Sequence, residues 1–128
     1  MTVLVDSQTF LWVLNNPELI GKKSLEILQD KDTELLVSAV SIWELGLKYK
    51  KKKQPYSIAE MLKGIKALNA SLLLLEEKHL KKFEFIDLPH KDPFDTLLVA
   101  QSEAEHCVFI TSDRNILKSG YPAGDASK

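Results

Sequence analysis

The sequence predicts an α/β fold: a three-layer α/β/α sandwich around a mostly parallel central sheet of four to five strands. Two observations support this fold class. Short runs that are apolar throughout alternate with longer segments whose apolar residues recur three or four apart, which is typical of a parallel sheet covered on both faces. The chain has 128 residues, 45% of them hydrophobic, and neither a linker nor a repeat divides it. We therefore expect residues 1–128 to form a single domain.

The first half of the chain predicts two strands and three helices. The strands are short apolar runs, whereas the helices carry apolar residues on one face, such as Ile42, Leu45 and Tyr49. Pro17 ends the first helix, because proline cannot continue it. In chain order, the predicted elements are a strand at residues 2–5, helices at 8–14 and 24–29, a strand at 34–38 and a helix at 41–50.

The second half predicts two further strands and four helices. Its most regular helix follows Pro55 and repeats apolar residues at helical spacing. Asp92 and Pro93 form an N-cap and first-turn pair that begins a longer helix. In chain order, the predicted elements are a helix at residues 57–68, a strand at 71–75, helices at 77–83 and 93–105, a strand at 107–111 and a helix at 113–117.

Composition and charge exclude several classes of protein. The net charge is −1, which argues against a domain that binds nucleic acid by bulk charge, although residues 48–53 form a local basic run. The single cysteine, Cys107, has no partner for a disulfide or a thiolate metal site and indicates a reducing compartment. Asp6 interrupts the apolar start of the chain, so we expect no signal peptide, no membrane partner and a cytoplasmic protein.

Four acidic residues stand where the predicted fold ends its strands or begins its helices. Asp6 directly follows the first strand, and Asp113 follows the fourth by two residues. Glu44 and Asp95 each lie three residues after a predicted helix cap, so we expect both in a first helical turn. In a parallel sheet, strand ends and helix starts meet at one edge, where ligands bind. The sequence therefore predicts that the four carboxylates converge there.

Each of these acids has two interpretations. Taken alone, an acid in a first helical turn pairs with free N–H groups and with the helix dipole, and Ser41 and Glu44 match a capping box. Taken together, four like charges held close repel one another, and a site that gathers them normally holds a cation. Oxygen ligands favour Mg²⁺ or Mn²⁺.

The three histidines argue against zinc, because they form no ligand pair at helical spacing. We expect His79 and His106 to be ordinary surface or helix-end residues. His90 lies two residues before Asp92 and is near enough in sequence to approach the acids, although a structural role is the commoner one for a lone histidine.

Four fragments carry a family resemblance: LVDSQTFLW at residues 4–12, SAVSIWEL at 38–45, HKDPFDTLLVAQ at 90–101 and ITSD at 110–113. In this order and spacing they resemble the PIN domains, and within them the VapC-type toxins of bacterial and archaeal toxin–antitoxin pairs. The resemblance implies an endoribonuclease that hydrolyses RNA phosphodiester bonds with one or two Mg²⁺ or Mn²⁺ ions. It also implies a cognate antitoxin that covers the site, and a homodimer.

The resemblance assigns the metal to Asp6, Glu44, Asp95 and Asp113. We expect Asp6 and Asp95 to bind it directly, and Glu44 and Asp113 to bind it directly or through water. Either of the latter two is also a candidate base for the attacking water. The metal would activate that water and neutralise charge on the scissile phosphate.

Residues around the acids are expected to support them. We expect Thr111 and Ser112 to orient Asp113 as a second shell. Asp92 is expected to cap its helix, with a smaller chance of entering the site. The family often places an arginine after the third acid, and this chain has Thr96 there, which removes one potential contact to the substrate phosphate or to a neighbouring acid.

RNA would be held through its phosphates, and the candidate contacts are Lys48, Lys50, Lys51 and Arg114. An alternative stays open for the lysines, because basic residues at a helix end are also favoured by the dipole and by solvent. We expect Trp43 to pack against the core rather than to stack on a base.

Three other classes of protein share part of this pattern. Haloacid-dehalogenase phosphatases need a second aspartate two residues after the first, where this chain has Gln8, and receiver domains need an aspartate after the third strand, where it has Leu-Glu-Glu at 75–77. A PIN-like domain that binds RNA or a protein without cutting remains open, although no acid is missing.

A further departure from the family lies at residues 121–128, which offer little for a fifth strand, so we expect a shorter or differently covered sheet edge.

Overall fold

The computed structural model describes residues 1–128 and confirms the α/β/α fold class. Five strands form one sheet: β1 (Thr2–Val5), β2 (Glu34–Ser38), β3 (Ser71–Leu73), β4 (Val108–Thr111) and β5 (Gly124–Asp125). Seven α-helices surround it: α1 (Ser7–Asn15), α2 (Lys22–Gln29), α3 (Ala39–Lys50), α4 (Ile58–Ala67), α5 (Glu77–Phe83), α6 (Pro93–Ala104) and α7 (Arg114–Lys118). A short 3₁₀ helix spans Pro17–Leu19.

All neighbouring strands of the sheet are parallel, in the order β3-β2-β1-β4-β5. The central strand β1 pairs on both sides, with Val5 opposite Val37 in β2 and opposite Ile110 in β4. Because every strand runs in the same direction, all five carboxyl ends lie along one edge, which we call the carboxyl edge. This is the edge at which Asp6 and Asp113 follow their strands.

The sheet separates two apolar layers. Along β1, Val3 and Val5 belong to one buried cluster and Leu4 to the other, as the alternation of side chains in a strand requires. The first cluster receives side chains from α1, α3 and α4, including Phe10. The second receives side chains from α6 and α7, including Leu98. Both faces are therefore covered, as the continuous apolar runs predicted.

The third strand is shorter than predicted. It ends at Leu73, whereas the sequence predicted residues 71–75, and Leu74 and Leu75 are 61% and 43% exposed. The reason is topological: β3 is an edge strand whose only partner is β2, and the last pair of their register joins Ser38 to Leu73. Beyond Ser38 the partner strand has become a helix.

Helix α3 begins two residues earlier than predicted. Ser38, the last residue of β2, is its N-cap, and the Ser38 hydroxyl accepts a hydrogen bond from the Val40 N–H at 3.0 Å. The predicted capping box of Ser41 and Glu44 is therefore wrong. Ser41 is fully buried inside the first turn, and Glu44 lies in the second turn of the helix.

Two side chains differ from the prediction in their exposure. His79 was expected at the surface or at a helix end; it does lie in the first turn of α5, where it completes a capping box with Glu76, but it is fully buried. Trp43 was expected to pack against the core, but it is 59% exposed and contacts Phe94 edge to face, with ring centroids 5.3 Å apart. The prediction for His106 agrees with its exposed position after the end of α6.

The C-terminal residues do form a fifth strand, although it has only two residues. Gly124 lies opposite Ile110, where its missing side chain lets the backbone approach the Ile110 side chain. Backbone hydrogen bonds then tie the tail to the start of α2, from the Gly21 N–H to the Ala126 carbonyl and from the Lys23 N–H to the Lys128 carbonyl, both at 2.8 Å. The sheet edge is therefore short, as expected, and is covered by the chain's own tail.

None of the helices combines the length and the hydropathy that crossing a bilayer would require.

Candidate active site at the carboxyl edge

A polar cleft opens at the carboxyl edge. Its volume is about 410 Å³, and no hydrophobic residue lines it. The structure brings the four predicted acids together there and adds a fifth carboxylate. The lining residues are Asp6, Ser7, Gln8, Glu44, Lys48, Asp92, Asp95, Ser112, Asp113 and Arg114.

Asp6 is the most buried of these acids, with 5% of its surface exposed. It caps α1, because its Oδ1 accepts a hydrogen bond from the Thr9 N–H at 2.9 Å. Its Oδ2 accepts from the Thr111 hydroxyl at 2.6 Å and from the Ser112 N–H at 3.0 Å. The end of β4 therefore holds the acid that follows β1.

These contacts correct the predicted roles of Thr111 and Ser112. Both were expected to orient Asp113, but both donate to the carboxylate of Asp6. The only hydrogen bond between Thr111 and Asp113 involves the backbone of Asp113, whose N–H donates to the Thr111 hydroxyl oxygen at 3.0 Å. The cause is the pairing of β1 with β4, which places the residues after Val5 and Ile110 side by side.

Two further acids, like Asp6, are helix caps as well as cleft residues. Asp113 caps α7 through a hydrogen bond from the Ile116 N–H to its Oδ1 at 3.0 Å. Asp92 caps α6, as predicted, and its Oδ1 accepts from the N–H groups of Phe94 and Asp95 at 2.9 and 3.1 Å. Capping and a place in the cleft are thus compatible in the same residue.

Glu44 reaches the cleft from the second turn of α3. Its Oε1 accepts a hydrogen bond from the Ser7 hydroxyl at 2.5 Å, which links α3 to the first residue of α1. Ser7 is itself buried, with 7% exposure. Ser7 was not predicted as a site residue, although its position directly after Asp6 was a signal that could have identified it.

Asp95 lies in the first turn of α6 and is the acid whose ionisation the site perturbs most. Its pKa is raised to about 7, mainly by burial and in addition by the negative charges of Asp92 and Asp113, whereas a hydrogen bond to His90 opposes the shift. The His90 Nε2 lies 3.0 Å from the Asp95 Oδ2. One ligand atom from each of His90, Asp95 and Asp113 lies within 4.8 Å of the others.

Most of the cleft acids keep one carboxylate oxygen free of protein hydrogen bonds. Glu44, Asp92, Asp95 and Asp113 each receive all their hydrogen bonds on a single oxygen. The other oxygen of each is available to a cation, and a cation would offset the charges of Asp92 and Asp113, which add to the effect of burial on the pKa of Asp95. Oxygen donors of this kind fit Mg²⁺ or Mn²⁺.

The predicted RNA contacts differ in their surroundings. Lys48 lines the cleft one helical turn after Glu44. Arg114 also lines it, but its guanidinium forms two hydrogen bonds with Asp125 at 2.9 and 2.6 Å, and holds the pKa of that carboxyl well below its usual range. Lys50 lines a separate cavity of about 570 Å³ at the end of α3, whereas Lys51 is exposed and lines neither cavity.

A second group of potential ligands, Glu76, His79 and Glu105, is better explained as a structural network. The His79 Nδ1 accepts a hydrogen bond from the Glu76 N–H at 2.9 Å, so the proton of the neutral ring is on Nε2. Nε2 lies 2.8 Å from Glu105 and donates to it. Neither nitrogen of His79 retains a lone pair for a metal.

Comparison with known proteins agrees with this geometry. A family model described as "PIN domain" matches residues 3–120. A search of curated protein sequences gave no match.

Three solved structures illustrate the similarity in fold. VapBC2 from Rickettsia felis, bound to a DNA fragment from its promoter, has a TM-score of 0.67 at 15% identity over 97% of this chain and 96% of that chain. A toxin–antitoxin complex from Klebsiella pneumoniae has a TM-score of 0.63 at 11% identity over 98% of both chains. VapBC-5 from Mycobacterium tuberculosis has a TM-score of 0.59 at 14% identity over 95% of this chain and 93% of that chain.

Proposed function

Because the chain belongs to the PIN-domain family, we propose that it is a Mg²⁺- or Mn²⁺-dependent endoribonuclease that hydrolyses RNA phosphodiester bonds. The observation that carries this proposal is the convergence of Asp6, Glu44, Asp95 and Asp113 in one cleft without apolar lining. Acids from the ends of β1 and β4, from the second turn of α3 and from the first turn of α6 meet there, although they are far apart in sequence.

The proposed metal ligands are these four acids. Glu44, Asp95 and Asp113 each offer an oxygen that has no protein donor. Asp6 offers Oδ1, which accepts only from Thr9, because its Oδ2 already accepts from Thr111 and Ser112. When bound, the cation supplies Lewis-acid activation of a water and offsets charge on the scissile phosphate.

The side chains of the cleft then divide the remaining work. The Asp95 carboxyl has a pKa of about 7, mainly because it is buried and also because Asp92 and Asp113 lie near it, and a bound cation would favour its ionised form. Where Glu44 or Asp113 holds the cation through water rather than directly, its free oxygen can accept the proton of the attacking water. Lys48, on the same wall as Glu44, offsets part of the phosphate charge.

We propose that the lysines of α3 guide the RNA backbone into the cleft. Lys48 lies about 6 Å along the helix axis from Glu44, and the exposed Lys50 and Lys51 lie about 9 and 10 Å from it. Stacked nucleotides rise about 3.4 Å per residue in one strand, so Lys48 and Lys51 lie within about two to three nucleotides of the reacting phosphate. Lys50 projects from the opposite side of the helix, into the separate cavity at its end, and is the weaker candidate of the three. Arg114, already paired with Asp125, contributes less.

We further propose that the chain is the toxin of a toxin–antitoxin pair that acts in the cytoplasm. Solved structures of similar fold come from such complexes. A cognate antitoxin would cover the cleft, and a homodimer is the proposed assembly. Induced expression should then arrest bacterial growth, and Asp95→Asn should relieve the arrest. Growth arrest by Asp95→Asn equal to that by the wild type, at equal protein levels, would contradict the toxin assignment.

Cleavage of total cellular RNA tests the enzymatic proposal. We expect the wild type to cut in Mg²⁺ or Mn²⁺ and to stop in excess chelator, and Asp6→Asn and Asp95→Asn to lose at least about 100-fold in rate, as expected for loss of a ligand that stabilises the transition state. Asp32→Asn is a matched control, because Asp32 is exposed and lies outside the cleft. Metal-independent cutting, or cutting unaffected by both cleft substitutions, would refute the proposal. RNA binding without cutting by any sample would favour a binding-only PIN domain.

A further inference from the structure

We propose that His90 is the positioning residue of Asp95, holding its carboxylate by a hydrogen bond from Nε2 so that the second oxygen is presented to the divalent cation. This inference rests on the proposed metal-binding function of the cleft. His90 is not among the residues that line the cleft, and it lies five residues before Asp95, a separation that matches no helical spacing.

The first argument is that Asp95 has no other anchor. The carboxylate of Asp6 receives backbone and hydroxyl donors, that of Glu44 receives Ser7, and that of Asp113 receives a backbone N–H. The carboxylate of Asp95 receives only the His90 contact at 3.0 Å, from a ring that is 16% exposed. Removing the ring would therefore leave Asp95 free to rotate within the cleft.

The second argument fixes which nitrogen carries the proton. The His90 Nδ1 is buried and has no hydrogen-bond partner. A proton on Nδ1 would be a buried donor without an acceptor, which costs about 1–3 kcal/mol. The stable form is the one with the proton on Nε2, where it is donated to Oδ2 of Asp95.

The same observation argues against His90 as a metal ligand. Coordination through Nε2 would move its proton to Nδ1, where nothing accepts it. Histidine ligands normally donate their second ring N–H to a carbonyl or carboxylate, and His90 has no such partner. His90 therefore acts on the cation through Asp95.

Calorimetric titration with MnCl₂ and with MgCl₂ tests the proposal without measuring catalysis. We expect His90→Leu to weaken the binding of both ions about 10- to 100-fold, as is typical when a residue that orients a metal ligand is removed. His90→Gln, whose amide can also donate to Asp95, should recover most of the affinity. In an Asp95→Asn background, His90→Leu should change the affinity less than twofold, because the carboxylate that His90 positions is already gone. His106→Asn, an exposed histidine beyond the far end of α6, is the control.

Each outcome has a distinct meaning. Wild-type affinity in His90→Leu, or an equal loss in the Asp95→Asn background, would overturn the inference and leave the proposed function standing. Loss of Mn²⁺ binding with Mg²⁺ binding retained would indicate direct nitrogen coordination and would also overturn it. A wild-type chain that binds neither ion would refute both proposals. If His90→Leu does not fold, ¹⁵N NMR of the metal-free wild type decides: the proton must be on Nε2, and a proton on Nδ1 would contradict the proposal.

Discussion

Asp95→Asn should stabilise the metal-free protein, and more strongly at high pH than at low pH. The pKa of the Asp95 carboxyl is about 7 in the folded protein, against an ordinary value of 3.8, because the site is buried and faces Asp92 and Asp113. Between these two pH values the folded state holds a proton that the unfolded state has lost. The stability of the metal-free protein therefore falls as the pH rises toward 7 and is constant above it.

The size of the effect follows from the two pKa values. One pKa unit corresponds to about 1.4 kcal/mol, so Asp95 destabilises the folded state by about 4 kcal/mol at pH 8 but by only about 2 kcal/mol at pH 5. Asparagine has the same shape, carries no charge and can still accept a hydrogen bond from His90. The gain from Asp95→Asn should therefore be about 2–3 kcal/mol larger at pH 8 than at pH 5.

Urea unfolding in the presence of chelator, at pH 5 and at pH 8, measures this difference. Asp32→Asn serves as the control, because its carboxylate is exposed and we expect no gain at either pH. Equal effects of Asp95→Asn at the two pH values would refute the claim that burial and the neighbouring carboxylates raise the pKa of Asp95. A confirmed gain would also show that any loss of RNA cleavage in this variant is not caused by unfolding.

Three further outcomes follow from the cleft contacts. Thr111→Val should lower the free energy of unfolding at pH 7 by about 2–3 kcal/mol, because it removes a buried hydrogen bond to the charged Asp6; a change below 0.5 kcal/mol would contradict this. Ser7→Ala should weaken Mn²⁺ binding about tenfold in calorimetry, because Glu44 loses its hydroxyl donor, and unchanged affinity would contradict this role. Lys48→Ala should weaken RNA binding and reduce its salt dependence by about one phosphate contact, which a salt titration measures, and an unchanged slope would exclude that contact.

Much of the fold could be predicted because the local patterns were unambiguous. The bounds of β1 and β2 follow from apolar runs that end at polar residues, and α5 and the Asp92 cap of α6 follow from local signals. The four acids could be placed at one edge for the same reason, since parallel strands share their carboxyl ends.

Other features depended on which strands become neighbours, which local patterns do not contain. The length of β3 is set by the end of its partner β2 at Ser38. The target of Thr111 and Ser112 is Asp6 because β1 and β4 are adjacent, although Asp113 is closer in sequence. The two-residue strand β5 is held by backbone hydrogen bonds, which leave little trace in side-chain type.

The roles of two histidines also could not be predicted from local sequence patterns. His79 is buried because its two nitrogens find partners in Glu76 and Glu105, and Glu105 lies beyond the end of α6, 26 residues further along the chain. His90 meets Asp95 across a turn whose geometry no periodicity describes. In both cases tertiary contacts decide the role of the residue.

Counting bound Mn²⁺ by electron paramagnetic resonance tests the central claim most directly, namely that the acids of the carboxyl edge form a cation site. We predict one or two ions per wild-type chain, and markedly weaker binding in Asp95→Asn and Asp113→Asn. Glu76→Gln, in the histidine-centred group, should bind as the wild type does, because His79 has no lone pair to offer. Absence of bound Mn²⁺ in the wild type, or binding lost in Glu76→Gln and retained in both cleft variants, would contradict the account.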